Sequence, residues 1–189
     1  MTKPICTVMV GLPAMGKSTL VEDSRKVYEK IDLPLFVYST DNILERTAKQ
    51  LGKTYNDVFE DHIKSAQTEA DIWLSEAIKN KQDIIWDQTN LGVGKRRKII
   101  NRMKQAGYQV RCDCIVPPQP GHFDDLKAWK QRLQNRPGKA IPNHLISNML
   151  ESYVEPTIEE GFDAINYYNM HGGIVAITNE INIVEDAKG

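Results

Sequence analysis

The sequence predicts an α/β fold: a three-layer sandwich in which a central parallel sheet lies between helices. Three observations predict it. Short β-prone runs alternate with longer helical patterns along most of the chain, the order that parallel strands joined by crossover helices require. The first run, Ile5 to Val10, breaks at Gly11, crosses a glycine-bounded loop and restarts as a helix at Lys17. Polar clusters, Ser39-Thr40-Asp41-Asn42 and Asp87-Gln88-Thr89-Asn90, stand directly after the second and third runs. Ligands of open parallel sheets bind at such carboxyl ends of strands.

The loop after the first strand carries the strongest signal. Gly11-Leu12-Pro13-Ala14-Met15-Gly16-Lys17-Ser18-Thr19 satisfies G-x-x-x-x-G-K-[ST], and it sits between a strand and a helix as that pattern requires. Glycines at both ends let consecutive N–H groups turn inward, and the positive end of the following helix points into the same hollow. The lysine then reaches the β and γ phosphates of a nucleotide, and the serine hydroxyl is a magnesium ligand. Gly11, Pro13, Ala14, Met15, Gly16, Lys17, Ser18 and Thr19 are therefore the expected nucleotide-binding residues, with Ser18 on the metal and with ATP and Mg2+ as the expected donor and cofactor. The fold class narrows to a P-loop NTPase sandwich. A plain glycine turn with a solvated Lys17 is the bland alternative, and it does not account for the complete motif in this context.

The other elements follow in order. A helix is expected from Lys17 to about Glu29 on the spacing of Leu20, Val21 and Val27, and a second strand from Leu35 to Ser39. Glu45 to Thr54 reads as a polar segment. A long helical pattern then runs from about Tyr55 to Asn80, a third strand from Asp83 to Asp87, and a helix opens at Lys95-Arg96-Arg97-Lys98 and stops at Gly107. Those four cations fit either a solvated helix face or contacts to a polyanionic acceptor. Gln109 to Val116 reads as the fourth strand. Pro117-Pro118-Gln119-Pro120-Gly121 is a stiff connector.

Helical patterns over Phe123 to Arg136 and Asn143 to Tyr153, broken at Pro137-Gly138, form a helical lid over about 123–153 that presents Arg132 and Arg136. An ordinary cationic surface helix is the alternative reading. Asp163 to Tyr168 is the fifth strand, and Ile174 to Thr178 with Ile181 to Val184 make a candidate terminal β-hairpin over 173–185.

Composition bounds the rest. A chain of 189 residues fits one domain, 1–189, and its 24 Lys plus Arg against 25 Asp plus Glu exclude a wholesale electrostatic nucleic-acid binder, so any such affinity resides in a local patch. Three cysteines, Cys6, Cys112 and Cys114, and no recognisable leader segment point to a reducing, cytoplasmic setting without a disulfide framework; Cys112 and Cys114 read as core thiols rather than zinc ligands. No apolar run approaches a bilayer span.

Phosphoryl transfer to an alcohol needs a bound donor, a base beside the attacking hydroxyl and cations around the transferring group. Asp41 is the candidate base. Asp87 is the candidate for ordering the acceptor or the metal environment, and Thr89 and Asn90 add a hydroxyl and an amide at the same strand terminus. Either carboxylate could instead belong to the metal's shell. Arg132 or Arg136 closes from the lid onto the transferring phosphate, which makes both of them catalytic and nucleotide-binding candidates.

These residues together resemble the kinase domain of phage and bacterial polynucleotide kinases and their P-loop relatives. The resemblance rests on Gly11 to Thr19, Ser39-Thr40-Asp41, Asp87-Gln88-Thr89-Asn90-Leu91, Arg132 and Arg136 before Ala140-Ile141-Pro142, and Glu155-Pro156-Thr157. It covers about Ile5 to Tyr168. It implies a Mg-dependent kinase that uses Asp41 as general base and Asp87 as acceptor-side aspartate, with a nucleic acid or nucleotide as acceptor, in the host cytoplasm if the chain is phage-encoded. The chain departs from the pattern at Leu44, where polynucleotide-specific members tend to carry an arginine; the nearest arginine is Arg46, a candidate acceptor contact alongside Lys95 and Arg96. Kinases of hydroxymethyl pyrimidines in DNA, kinases of small molecules or nucleosides, and a non-transferring nucleotide switch remain alternatives at this level. Oligomeric state and ATP versus GTP stay open.

Overall fold

The computed structural model describes residues 2–118 and 123–179. Its elements in chain order are β1 (Ile5–Val10), α1 (Lys17–Lys30), β2 (Leu35–Tyr38), α2 (Thr40–Leu51), α3 (Tyr55–Lys79), β3 (Asp83–Trp86), α4 (Val93–Gln105), β4 (Gln109–Ile115), α5 (Phe123–Gln134), α6 (Asn143–Ser152), a 3₁₀ turn (Ile158–Glu160), β5 (Ala164–Tyr168) and β6 (Ile174–Asn179). One six-stranded sheet runs in the order β2-β3-β1-β4-β5-β6. The first five strands are parallel and β6 is antiparallel to β5. The expected α/β sandwich is therefore present, with a mixed rather than purely parallel sheet.

Period-two patterning explains the layers. Cys6, Val8 and Val10 of β1 and Val110, Cys112 and Cys114 of β4 point to one face, where they meet Leu74 of α3 and Ile99, Ile100 and Met103 of α4. Met9 points to the other, against Val21 of α1 and Ile85 of β3. A third cluster joins Leu12 and Met15 of the loop after β1 to Trp129 of α5 and Met170. Each fully buried aliphatic or aromatic side chain here contributes about 1.5–3 kcal/mol. All three cysteines are free and buried. Among the described residues, no helix is long and apolar enough to cross a membrane.

One expectation is corrected. The polar stretch from Glu45 continues α2 to Leu51, because Leu44 and Ala48, one turn apart, pack with Val58 and Ala66 of α3; two apolar positions sufficed where the surrounding charges masked them. The run Ile174 to Thr178 falls within β6, which pairs antiparallel with β5. The turn 169–173 closes that hairpin, with Asn169 Oδ1 accepting from the N–H groups of His171 (2.9 Å) and Gly173 (3.0 Å). Ile181 to Val184 lies outside the described residues.

Register brings the functional segments together. Val8 is level with Trp86 in β3, and Tyr38 in β2 is level with the same Trp86, so the chain leaves all three strands at one edge of the sheet. Two bonds tie these exits: Gly11 N–H to Thr89 O (3.1 Å) and Asp87 N–H to Tyr38 O (2.9 Å).

Candidate active site

A cleft of about 1000 Å³ opens at that edge. Its walls come from the loop before α1, the first turns of α2 and α3, the segment after β3 and the turn between α5 and α6.

The phosphate-loop wall follows from local backbone chemistry. Gly16 caps α1 at φ +107°, a left-handed conformation that costs a β-carbon-bearing residue dearly. The first turn of α1 carries no acidic side chain, so the positive helix end faces the cleft uncompensated. Pro13, Ala14, Gly16, Lys17 and Ser18 line the cleft. Met15 instead turns into the core, and Thr19 is exposed outside the lining. Lys17 Nζ donates to the carbonyls of Gly11 (2.8 Å) and Leu12 (2.9 Å). Burial lowers its pKa to about 8, partly opposed by the Asp87 and Asp41 carboxylates.

Asp41 enters from α2. Ser39 caps that helix by accepting from Asn42 N–H (3.4 Å), which sets Asp41 in its first turn. Both carboxylate oxygens are held: Oδ1 accepts from Tyr55 Oη (2.8 Å) and Oδ2 from Lys139 Nζ (2.9 Å). Burial raises the Asp41 pKa, but Lys139, Tyr55 and Arg136 outweigh it and the net shift is downward. Asp87, on the opposite wall, accepts no hydrogen bond among the described residues. Burial pushes its pKa up, against the pull of Lys17 and with the push of Asp41. The two carboxylates are thus shifted in opposite directions by their surroundings.

The remaining candidates divide. Thr89, Lys95 and Arg136 line the cleft. Arg132 does not: its Nη1 donates to Met170 O (2.9 Å), and α5 itself is fixed to the phosphate loop by Trp129 Nε1 donating to Pro13 O (2.8 Å). Arg46 pairs with Glu69 across α2 and α3, away from the cleft. Two candidates are corrected outright. Asn90, fully buried at φ +47°, gives its amide to Met9 O (2.8 Å), Gln88 O (3.3 Å) and Trp86 O (3.4 Å), so it knots the strand ends and cannot touch an acceptor. Arg96, also fully buried, forks onto Glu160 (2.7 and 2.6 Å) and caps the carbonyls of Asn90, Leu91 and Val154. The cationic run is thereby split, because a helix turning 100° per residue sends Arg96 inward while Lys95, Arg97 and Lys98 stay exposed.

The family model described as an AAA domain, AAA_33, matches residues 7–156. The chain belongs to the AAA_33 family. An L-seryl-tRNA(Sec) kinase of Methanococcus maripaludis is 28% identical over 157 residues, covering 82% of this chain. The chain spans about half the length of that relative, 55%. Two solved structures share the fold. One belongs to the PezAT chromosomal toxin-antitoxin system of Streptococcus pneumoniae (TM-score 0.61, 15% identity, 97% of this chain and 78% of that one). The other is a candidate kinase from Chloroflexus aurantiacus (TM-score 0.59, 14% identity, 89% of each chain). The α/β sandwich of this AAA_33 chain is thus a P-loop kinase-like fold.

The AAA_33 cleft also contains groups that sequence reasoning passed over. Lys139 lies over the Tyr55 ring, 4.4 Å from its centroid, and reaches Glu45 (2.6 Å) as well as Asp41. Arg25 of α1 lines the far wall. The one available signal for Lys139 was its place in the polar turn after Pro137-Gly138; Tyr55 reads only as a helix start. For a magnesium ion the donor set fits: the Ser18 hydroxyl and the unbonded Asp87 carboxylate face the same cleft, hard oxygens of the kind Mg2+ takes alongside nucleotide phosphates. No cluster of three or more His, Cys, Asp or Glu able to hold a metal alone occurs among the described residues.

Proposed function

We propose that this AAA_33 chain is a kinase that moves the γ-phosphate of ATP to an alcohol hydroxyl on a nucleic acid or nucleotide. One observation carries the reading: Lys17 and Asp41, a phosphate-binding cation and a carboxylate, face one cleft from different strand exits, with Arg136 arriving from the turn between α5 and α6. Asp41 takes the proton of the acceptor hydroxyl. The oxygen so freed bonds to the γ-phosphorus, the bond from phosphorus to the bridging oxygen breaks, and ADP departs with that electron pair. Lys17, the N-terminal end of α1 and Arg136 offset the charge on the equatorial oxygens. Ser18 and Asp87 would hold the magnesium ion, which supplies further charge neutralisation when bound.

The relative named as a seryl-tRNA kinase favours an acceptor attached to a nucleic acid. Against a polynucleotide 5′ end stand Leu44, fully buried between α2 and α3, and Arg46, bound to Glu69: neither offers a cation to an acceptor phosphate. A hydroxyl on a base or on a group carried by the nucleic acid fits α2 better. A nucleotide switch without transfer needs no base, and the two hydrogen bonds that fix Asp41 argue against it.

The test is transfer of labelled γ-phosphate with magnesium to single-stranded DNA and RNA with 5′-hydroxyl ends, to DNA carrying hydroxymethyl pyrimidines, to aminoacylated tRNA, to nucleosides and to water. Asp41→Asn is expected to keep nucleotide binding and to lower transfer by about 10²–10⁴-fold. Label in free phosphate alone would sink the kinase reading for these acceptors.

A further inference from the structure

We infer that Lys139 is a positioning residue for Asp41: seated between Asp41 and Glu45 on the turn after α5, it orients the base and makes that orientation depend on the turn being docked. The inference rests on the reading of Asp41 as the base.

The geometry is that of a half-buried cation serving more exposed anions. The Lys139 side chain is 16% exposed, whereas the carboxylates it binds are 51% and 54% exposed. Its ammonium group meets Asp41 Oδ2 at 2.9 Å, Glu45 Oε1 at 2.6 Å and the face of the Tyr55 ring. Tyr55 Oη holds the other Asp41 oxygen at 2.8 Å. A carboxylate gripped at both oxygens cannot rotate about its last torsion, yet each oxygen keeps a lone pair for an acceptor proton.

The turn is docked by contacts that do not involve the lysine side chain. Asn56 N–H donates to Gly138 O (3.0 Å) and Asn56 Nδ2 to Ala140 O (3.0 Å). Gly138 adopts φ +67°, and a β-carbon there would stand 2.8 Å from Thr54 Cβ, closer than packing allows. Arg136, three residues before Lys139, lines the cleft from the same turn. Seating this turn on the start of α3 therefore delivers two groups at once: a cation to the transferring phosphate and a cation to the base.

The groups facing Asp41 are Lys139 and Arg136 from the turn, Glu45 from α2, Tyr55 from α3, Lys17 from the phosphate loop and Asp87 after β3. Removing Lys139 leaves Glu45 and Asp87 with fewer opposing cations, so the Asp41 proton is held more tightly.

The experiment titrates the full chain labelled with ¹³Cγ-aspartate by NMR, with the Asp41 resonance assigned by its loss in Asp41→Asn. Lys139→Met is expected to move the Asp41 midpoint to higher pH, Lys139→Arg to return it toward the wild-type value, and Tyr55→Phe to raise it without touching the lysine. An unchanged midpoint in Lys139→Met overturns the inference whatever the turnover does. The pH–rate profile on the best acceptor of the panel separates the two claims. An acidic limb that moves upward with the NMR midpoint supports both. A moved midpoint with an unmoved limb removes Asp41 as the base and leaves Lys139 without a catalytic part.

Discussion

Trp129 donates its indole N–H to the carbonyl oxygen of Pro13 at 2.8 Å, which ties the helix after β4 to the phosphate loop. The indole is 2% exposed and packs in the cluster of Leu12, Met15 and Met170. α6, by contrast, buries no residue fully. Trp129→Phe orphans a buried carbonyl, at a cost of about 1–3 kcal/mol, and the smaller ring leaves a cavity in the cluster that adds to it. Urea unfolding is expected to show that loss, with weaker ATP binding because the loop is less fixed.

Lys17 is expected to set the pH dependence of nucleotide binding. Burial lowers its pKa to about 8, so the free chain loses this positive charge as pH rises through that value. Association with MgATP is expected to weaken on the alkaline side, and fluorescence titration with an ATP analogue from neutral to alkaline pH reads it directly. Lys17→Ala should abolish both the binding and its pH dependence. A flat profile would place the lysine's titration elsewhere.

Arg96 is a stability residue. Its guanidinium joins a carboxylate that is 4% exposed and three main-chain carbonyls, so Arg96→Ala strands an unpaired buried charge. Removing one partner of such a pair costs about 3–5 kcal/mol. Arg96→Lys is not expected to restore it, because an ammonium cannot reproduce the two-pronged contact with Glu160. Denaturant melts of both variants check this, and wild-type stability in Arg96→Ala would refute it.

Leu44 tests the acceptor. Leu44→Arg places a cation in the core between α2 and α3, beside Ala48, Val58 and Ala66, instead of in the cleft. The expected outcome is a large loss of thermal stability with no gain of transfer to 5′-hydroxyl DNA ends. Stable folding with new end-directed transfer would show that α2 can turn this position toward the acceptor.

The strand and helix boundaries were legible because they depend on local patterning. β1 and the start of α1 follow directly from the run Ile5 to Val10 and the motif ending at Lys17-Ser18. α2 was half missed, since its apolar stripe is two residues wide and only packing against α3 makes it a helix. The pairing of β6 with β5 was not legible, because Ile174 to Thr178 is β-prone without saying which strand it joins, and the Asn169 turn is what closes it onto β5.

The candidate site divides along the same line. The sequence by itself determined the phosphate loop, because its chemistry is contained in nine consecutive residues, and it placed Asp41 and Asp87 just beyond the carboxyl ends of strands. Only the tertiary structure decided which side chains reach the cleft. Arg96 and Asn90, polar and beside the right segments, are consumed by buried hydrogen bonds that span up to 64 and 81 residues of sequence. Lys139, 98 residues from Asp41, becomes its partner because Gly138 can pack against Thr54. Pairings at such separations are set by how elements pack, and no local pattern of polar residues encodes whether a charge will face solvent, substrate or another charge.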